Sequence, residues 1–352
     1  MDLERSILKI IRGEKKAPIA RACLALLSFA YRGVITLRNA AYDLGIFSST
    51  KLSVPVISIG NIVAGGTGKT PLVHALAAAL QDKTHLAVLS RGYKSQIEKS
   101  GGIKQISVGS GPLCSVQESG DEPYFLAQKT KASIWIGGDR IASGSKAIEL
   151  GARCILLDDG MQHRRLKRDF EIVVVDGTDP FSKGRYLPCG LLRDSPRRLK
   201  SASLIVISHT QDLAHFERVK TQISQFSSAP VVAAQMEILN KELFSPCKVG
   251  VFCAIGQPFR FLQTVRDLNQ EIVDTLILND HAPLQKDQLE VFVKECLEKG
   301  AQALLCTEKD YVKLDFNFPS LQIIPVKIQL RIIQGKEDWQ QLIDNILHQV
   351  VT

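Results

Sequence analysis

The string IGNIVAGGTGKTP, residues 59–71, sets three closely spaced glycines before a lysine and a threonine. A β-branched run at 56–59 precedes it and an Ala/Leu-rich helical stretch at 74–80 follows. Gly65, Gly66 and Gly68, with Thr67 between them, let backbone N–H groups turn inward on an anion at the positive end of the following helix. Lys69 then reaches the β- and γ-phosphates of a nucleotide, and the Thr70 hydroxyl ligates Mg²⁺. Pro71 fits, because the first turn of a helix has no use for its N–H. The spacing departs from the usual nucleotide loop at Val63, where glycine is expected, and Ala64 stands where a close variant of the loop often has lysine.

A nucleotide site also needs an acidic element for the metal. CILLDD, residues 154–159, supplies one: four apolar residues of a buried strand, then Asp158 and Asp159. IVVVD, residues 172–176, competes, but the polar string GMQHRR follows only the first pair, so Asp176 reads as a strand-end residue capping the next turn. Three further loops hold polar residues that a plain turn does not require: SRGY at 90–93, GDEP at 120–123 and GGDR at 137–140. Asp121 has a competing structural reading, as the N-cap of the helical stretch it opens.

The elements that position these loops are legible from 54 onward. Short β-rich runs at 54–59, 86–90, 133–137, 154–158, 172–176 and 204–208 alternate with helical stretches. That alternation predicts an α/β fold of the P-loop NTPase type, a mostly parallel sheet with helices on both faces and active residues at the carboxyl ends of its strands. Near 227–230 the pattern pauses, then resumes at 231–235, 249–254, 274–278, 303–307 and 321–326. The expected division is an N-terminal basic and apolar region at 1–50, a nucleotide-binding domain at 51–228 and a smaller α/β domain at 229–352.

The net charge of +8 is uneven: residues 1–40 hold eight Lys/Arg against three Asp/Glu, and further basic knots lie at 163–168 and 197–200. Aromatic content is only 6% and no nucleic-acid-binding motif occurs, so nucleic acid is not the expected partner. The apolar string ACLALLSFA at 22–30 is flanked by Arg21 and Arg32, which leaves no run near the ~20 apolar residues of a transmembrane helix. No clear signal-peptide cleavage site follows it. A basic helix with a broad apolar face lying in the lipid interface is expected; the alternative is an ordinary amphipathic helix packed on the domain, and one helix can do both. The eight cysteines form no CxxC pair and lie mostly in apolar strings, as buried, reduced thiols of a cytoplasmic protein do.

Taken in order and at about their spacings, GNIVAGGTGKTP, SRGY, GDEP, DDGMQHRRLKRD, GRYLPCGLLRD and TEKD resemble the tetraacyldisaccharide 4′-kinase family, the lipid A kinases of Gram-negative bacteria. The likeness runs from the N-terminal helix to about residue 314, and DDGMQHRRLKRD is its most specific part. It implies phosphoryl transfer from ATP, with Mg²⁺, to the 4′-hydroxyl of a membrane-embedded acylated glucosamine disaccharide 1-phosphate. The enzyme would then sit peripherally on the anionic cytoplasmic face of the inner membrane. Carried over, Lys69 and Thr70 hold phosphate and metal, with Asp158 and Asp159 on the metal. Asp121 takes the hydroxyl proton with Glu122 beside it, and Arg91, Tyr93, Arg140, Gln162, His163 and Arg193 line the phosphate and sugar site. Asp280 and His281 complete the site from the second domain across an interdomain cleft, His281 orienting Asp121 or stabilising its charge. Two positions depart from the family pattern: Asp194-Ser195 replaces Glu-Pro, and Ala282 stands where a second histidine is common.

A rival class is a P-loop GTPase or metallochaperone. TEKD, residues 307–310, resembles the guanine-reading Asn/Thr-Lys-x-Asp motif, but its Lys and Asp are adjacent. A nucleic-acid-dependent ATPase has only the basic patches behind it.

Overall fold

The structure is a computed structural model and describes residues 10–11, 17–280, 282–314, 316 and 318–351. Its strands in chain order are β1 (Val56–Gly60), β2 (Leu86–Ser90), β3 (Ile103–Val108), β4 (Ser133–Gly137), β5 (Cys154–Asp158), β6 (Phe170–Asp176) and β7 (Leu204–Ser208). They continue with β8 (Val231–Ile238), β9 (Lys248–Cys253), β10 (Glu271–Ile277), β11 (Ala303–Thr307), β12 (Gln322–Val326) and β13 (Ile328–Gln334). The chain divides into two compact units, each assembled from separated segments. The first takes the chain up to Lys69, Asp159–Gln235 and the chain from Ile332 on; the second takes Thr70–Asp158 and Met236–Arg331.

In the first unit the strands run in the order β13-β8-β7-β6-β1. The pairs β1–β6, β6–β7 and β7–β8 are parallel. β1 and β7 are buried along their whole length, and apart from the buried Ser58 in β1 and Ser208 at the end of β7 they read as apolar runs. Ile205, Ile207, Val173 and Val175 pack with Phe216, Val219 and Ile223 of helix Leu213–Ser224 to form the core.

Helix Pro18–Asp43 belongs to this unit and is two-faced. Leu24, Ser28, Ile35 and Asn39 are buried, while Leu26, Phe29 and Leu37 are each more than 70% exposed. The apolar stretch was expected to be too short to cross a membrane. As one 26-residue helix, it is long and apolar enough to cross one, by length and composition only. What limits it is the docked face: Ser28 Oγ donates to Tyr186 O at 2.9 Å, and the Arg32 guanidinium lies over the Tyr186 ring. A helix tied along one side by polar bonds presents only its other side to lipid.

In the second unit β5-β2-β4-β3 form one run, with β2 parallel to β4 and β5 and β3 antiparallel at the edge. A separate four-stranded sheet, β10-β9-β11-β12, is parallel throughout. Val249, Val251 and Leu305 pack on one face with Phe261, Leu262 and Val265 of helix Pro258–Asp267. Phe252, Leu304 and Cys306 pack on the other with Leu289, Phe292 and Val293 of helix Lys286–Glu298. Mostly parallel sheets with helices against them are the expected fold class.

Candidate active site

β1 ends at Gly60, and the loop that follows is held from behind. Asn61 is fully buried and donates to Val63 O and to Thr67 Oγ1 (2.9 Å), while Ser208 Oγ, at the end of β7, donates to Thr67 O at 2.8 Å. Gly65 and Gly68 have φ of 111° and 93°, values that a side chain at either position would oppose. Val63 needs no such freedom: it pairs antiparallel with Leu192, and Ala64 N donates to Leu191 O at 2.7 Å. A strand-like bridge therefore replaces the expected glycine. The helix Lys69–Leu80 starts at the lysine itself, with no acidic residue in its first turn to compete for an anion.

Asp159 faces this loop within the same unit. Its φ of 51° turns it out of β5. Arg193 grips it with both terminal nitrogens at 3.1 and 3.0 Å and adds a bond to Asn61 Oδ1 at 3.2 Å, and Lys69 Nζ lies 3.7 Å from its Oδ1. Two cations thus converge on one carboxylate beside the phosphate loop, a paired arrangement that a polyphosphate can take over. Gln162 Nε2 donates to Asn61 O at 2.8 Å, leaving its buried Oε1 with no hydrogen-bond partner, which suits a site that receives a donor from a ligand. His163 follows in the same turn, its N–H on Gly160 O at 2.9 Å.

The docked face of helix Pro18–Asp43 is bonded into these same loops. Tyr31 Oη donates to Arg193 O at 2.9 Å, Arg38 to Gln162 O, and Asn39 Nδ2 to Asp194 Oδ1 at 2.7 Å. Arg164 donates to Asn39 O and Asp43 and stacks on Tyr42. Asp194, the shortened carboxylate, is 1% exposed and also receives Ser195 N. Its observed use is to seat the helix.

The second unit holds the remaining residues. Asp158 is buried and accepts from Ser90 Oγ at 3.0 Å. Thr70 lies in the first turn of its helix. Arg91 pairs with Glu98 at 2.6 Å and Tyr93 is half exposed with Lys94 over its ring. Arg140, the first residue of helix Arg140–Glu149, is 5% exposed and donates back to Gly137 O. Asp176, in the first unit, takes Thr178 N and Oγ1, the turn-capping role expected of it.

Asp121 opens helix Asp121–Lys129 but does not cap it. The N-cap position is Gly120, no side chain caps the helix, and Asp121 is 6% exposed. Its Oδ2 instead faces Lys313 Nζ at 3.0 Å and Lys309 Nζ at 3.8 Å. Lys309 also lies 3.2 Å from Glu122 and 3.7 Å from Asp280. Burial works against the charge of Lys309, but Glu122, Asp121 and Asp280 outweigh it and hold the ammonium well above the ordinary lysine range. Asp121 and Asp280 therefore fall in the same compact unit and share one cation. His281 lies outside the described residues.

The sequence reading passed over Asn61, Lys309 and Lys313, although the strings GNIVAGG and TEKD contain the first two. TEKD does not read a base here: Asp310 is fully buried and takes Ala254 N at 3.1 Å, Thr307 Oγ1 at 2.7 Å and Lys313. Among the described residues no group of three or more His, Cys, Asp or Glu could hold a metal ion. A nucleotide-bound Mg²⁺ asks for less, because phosphate oxygens and water fill most of its shell.

A profile of the tetraacyldisaccharide-1-P 4′-kinase family, LpxK, matches residues 20–348. The chain is 33% identical to a tetraacyldisaccharide 4′-kinase of Chlamydia pneumoniae, over 96% of this chain and 95% of that protein. It is 32% identical to one from Halothermothrix orenii, over 97% of both. In structure it resembles the apo form of LpxK from Aquifex aeolicus in complex with ATP, with a TM-score of 0.75 and 29% identity, covering 93% of this chain and 99% of that one.

Proposed function

Because the chain belongs to the tetraacyldisaccharide-1-phosphate 4′-kinase family, a family of phosphotransferases of lipid A biosynthesis acting on a hydroxyl group, we propose how its own residues carry out that transfer. The γ-phosphoryl group of ATP passes to the 4′-hydroxyl of an acylated glucosamine disaccharide 1-phosphate at an anionic membrane surface, on the cytoplasmic face of the inner membrane. As the sugar oxygen bonds to the γ-phosphorus, the bond to the β–γ bridging oxygen breaks and ADP leaves. The hydroxyl proton goes to Asp121, since an alcohol is a poor nucleophile until a base can receive it.

The loop Gly65, Gly66, Thr67 and Gly68 cradles the phosphates, and Lys69 neutralises their growing charge. Arg193 moves from Asp159 toward the phosphates or remains as the brace that aims that carboxylate. Thr70, Asp158 and Asp159 would hold Mg²⁺, which when bound draws charge from the phosphate oxygens. Arg91, Tyr93, Glu122, Arg140, Gln162 and His163 are assigned to the sugar and phosphate side, with Asp280 and His281 completing the acid–base group.

One observation carries the lipid reading: the exposed apolar helix Pro18–Asp43 is hydrogen-bonded directly to Arg193 O and Gln162 O, in the loops beside the phosphate loop. A nucleotide hydrolase with a soluble partner has no need to couple such a helix to those loops. Transfer of label from γ-³²P-ATP to a panel of acylated disaccharides in micelles tests it. Labelled inorganic phosphate alone, with no labelled lipid, would be the outcome that returns the chain to the hydrolases.

A further inference from the structure

Helix Asp121–Lys129 is held at both ends by one short segment of the second unit. β11 ends at Thr307, whose hydroxyl accepts Asp310 N at 3.1 Å and caps the four-residue helix Glu308–Tyr311. From this segment Lys309 and Lys313 reach Asp121 at the start of the longer helix. Glu308, 8% exposed and fixed by Ile328 N, takes Lys129 at its end. Lys313 is itself anchored on the buried Asp310, which is bonded to Ala254 N at the end of β9. Three side chains of this segment, Glu308, Lys309 and Lys313, are thus committed to one helix.

Lys309 does more than hold the helix. Its ammonium bridges Asp121 and Glu122 on the helix to Asp280, on the loop that follows β10. Lys94 donates to the backbone carbonyl of Asp280, so that loop is fixed from a second side. The three carboxylates belong to segments about 160 residues apart in sequence, and a bridging cation removes the repulsion that would drive them apart.

We propose that Lys309 is a positioning residue for phosphoryl transfer: it bridges Asp121, Glu122 and Asp280, sets the orientation of the Asp121 carboxylate, and keeps that carboxylate ionised. This rests on the assignment of Asp121 as the base. Among the described residues, the charged groups facing Asp121 are Lys309, in TEKD, and Lys313, three residues past it; Glu122, Asp280 and Asp310 lie behind those lysines. A cation beside a carboxylate favours its charged form, so removing Lys309 shifts the Asp121 titration to higher pH. Glu122 and Asp280, left uncompensated, push it the same way.

The experiment is the pH profile of kcat in the full-length enzyme with ATP and acylated disaccharide, for Lys309→Met, Lys309→Arg and Asp121→Asn. Lys309→Met is expected to lose about tenfold or more in kcat, with KM for ATP nearly unchanged, and its acidic limb should move up by about one pH unit. Lys309→Arg keeps the charge but not the geometry, so its limb should return to the wild-type position at a reduced kcat. A folded Lys309→Met with wild-type kcat and limb overturns the inference, and so does a loss of kcat with the limb unmoved in both variants. Should Lys309→Met not fold, Lys309→Arg decides: lowered kcat at an unmoved limb supports positioning, and wild-type kcat overturns it. Asp121→Asn separates the two layers. If it retains turnover, the base assignment fails; if it is inactive while Lys309→Met is normal, only the role of Lys309 fails.

Discussion

Gly60 offers a perturbation whose size can be worked from the structure. It ends β1, directly before the phosphate loop, and its φ lies outside the left-handed region, so alanine there meets no backbone penalty. The effect is purely steric. A Cβ at this position would stand 2.4 Å from Met161 Cβ and 2.9 Å from Met161 N. Carbon atoms rest ~3.5–4.0 Å apart, so the loop carrying Met161 must retreat by about 1 Å or more. That loop cannot retreat freely: Met161 is fully buried among Ile62, Val63 and Leu192, and Gly160 N is bonded to Ile59 O at 3.0 Å. Asp159, which receives Lys69 and Arg193, lies two residues away and moves with it. Gly60→Ala should cost roughly 1–3 kcal/mol of stability, as overpacked cores do. A misplacement of about 1 Å at the reacting groups should lower kcat/KM on the order of 10²-fold. Thermal unfolding and labelled phosphate transfer on the same preparation measure both. A Gly60→Ala enzyme with the wild-type midpoint and wild-type turnover would refute the close approach of β1 to the 159–163 loop.

Lys69→Ala and Thr70→Ala should each lose about 10²-fold or more in turnover while keeping the wild-type circular dichroism, the scale expected for positioned charge; near-normal turnover of Lys69→Ala would sink the nucleotide-site assignment. Replacing the exposed Leu26, Phe29 and Leu37 together by serine should weaken co-sedimentation with anionic liposomes by about 10²-fold or more, at ~1.5–3 kcal/mol per apolar side chain buried, and undiminished sedimentation would exclude this face as the membrane contact. Burial pushes the Cys253 thiol up to about 12 and Cys306 well above its ordinary value, so both stay protonated as pH rises through 8. Iodoacetamide at pH 8 should therefore modify the exposed Cys23 and spare those two until the protein is denatured, as read by peptide mass spectrometry; rapid labelling of Cys253 in the folded enzyme would contradict its placement.

Much of this was legible in the sequence because it is local. A strand, a glycine-rich turn and a helix start lie within a dozen residues at 56–70, and continuous apolar runs ending in Asp158 or Asp176 announce buried parallel strands with polar carboxyl ends. The motif strings placed the family for the same reason, each being a short stretch whose chemistry is complete in itself. Tertiary structure decided what each charge does. Asp121 could be a cap or a base by sequence alone; the helix begins at Asp121 with Gly120 in the N-cap position, and Lys309 and Lys313, about 190 residues on, take its carboxylate. The apolar helix was judged by its longest uninterrupted run, whereas its docked face turns on bonds to residues 162, 186, 193 and 194, more than 100 positions away. Asp194, written into the sequence as a shortened site carboxylate, became the seat of Asn39. Periodicity and turn chemistry encode which elements form, because they act over a few residues. Which carboxylate meets which cation depends on how distant segments close on one another, and spacing along the chain carries no record of that distance.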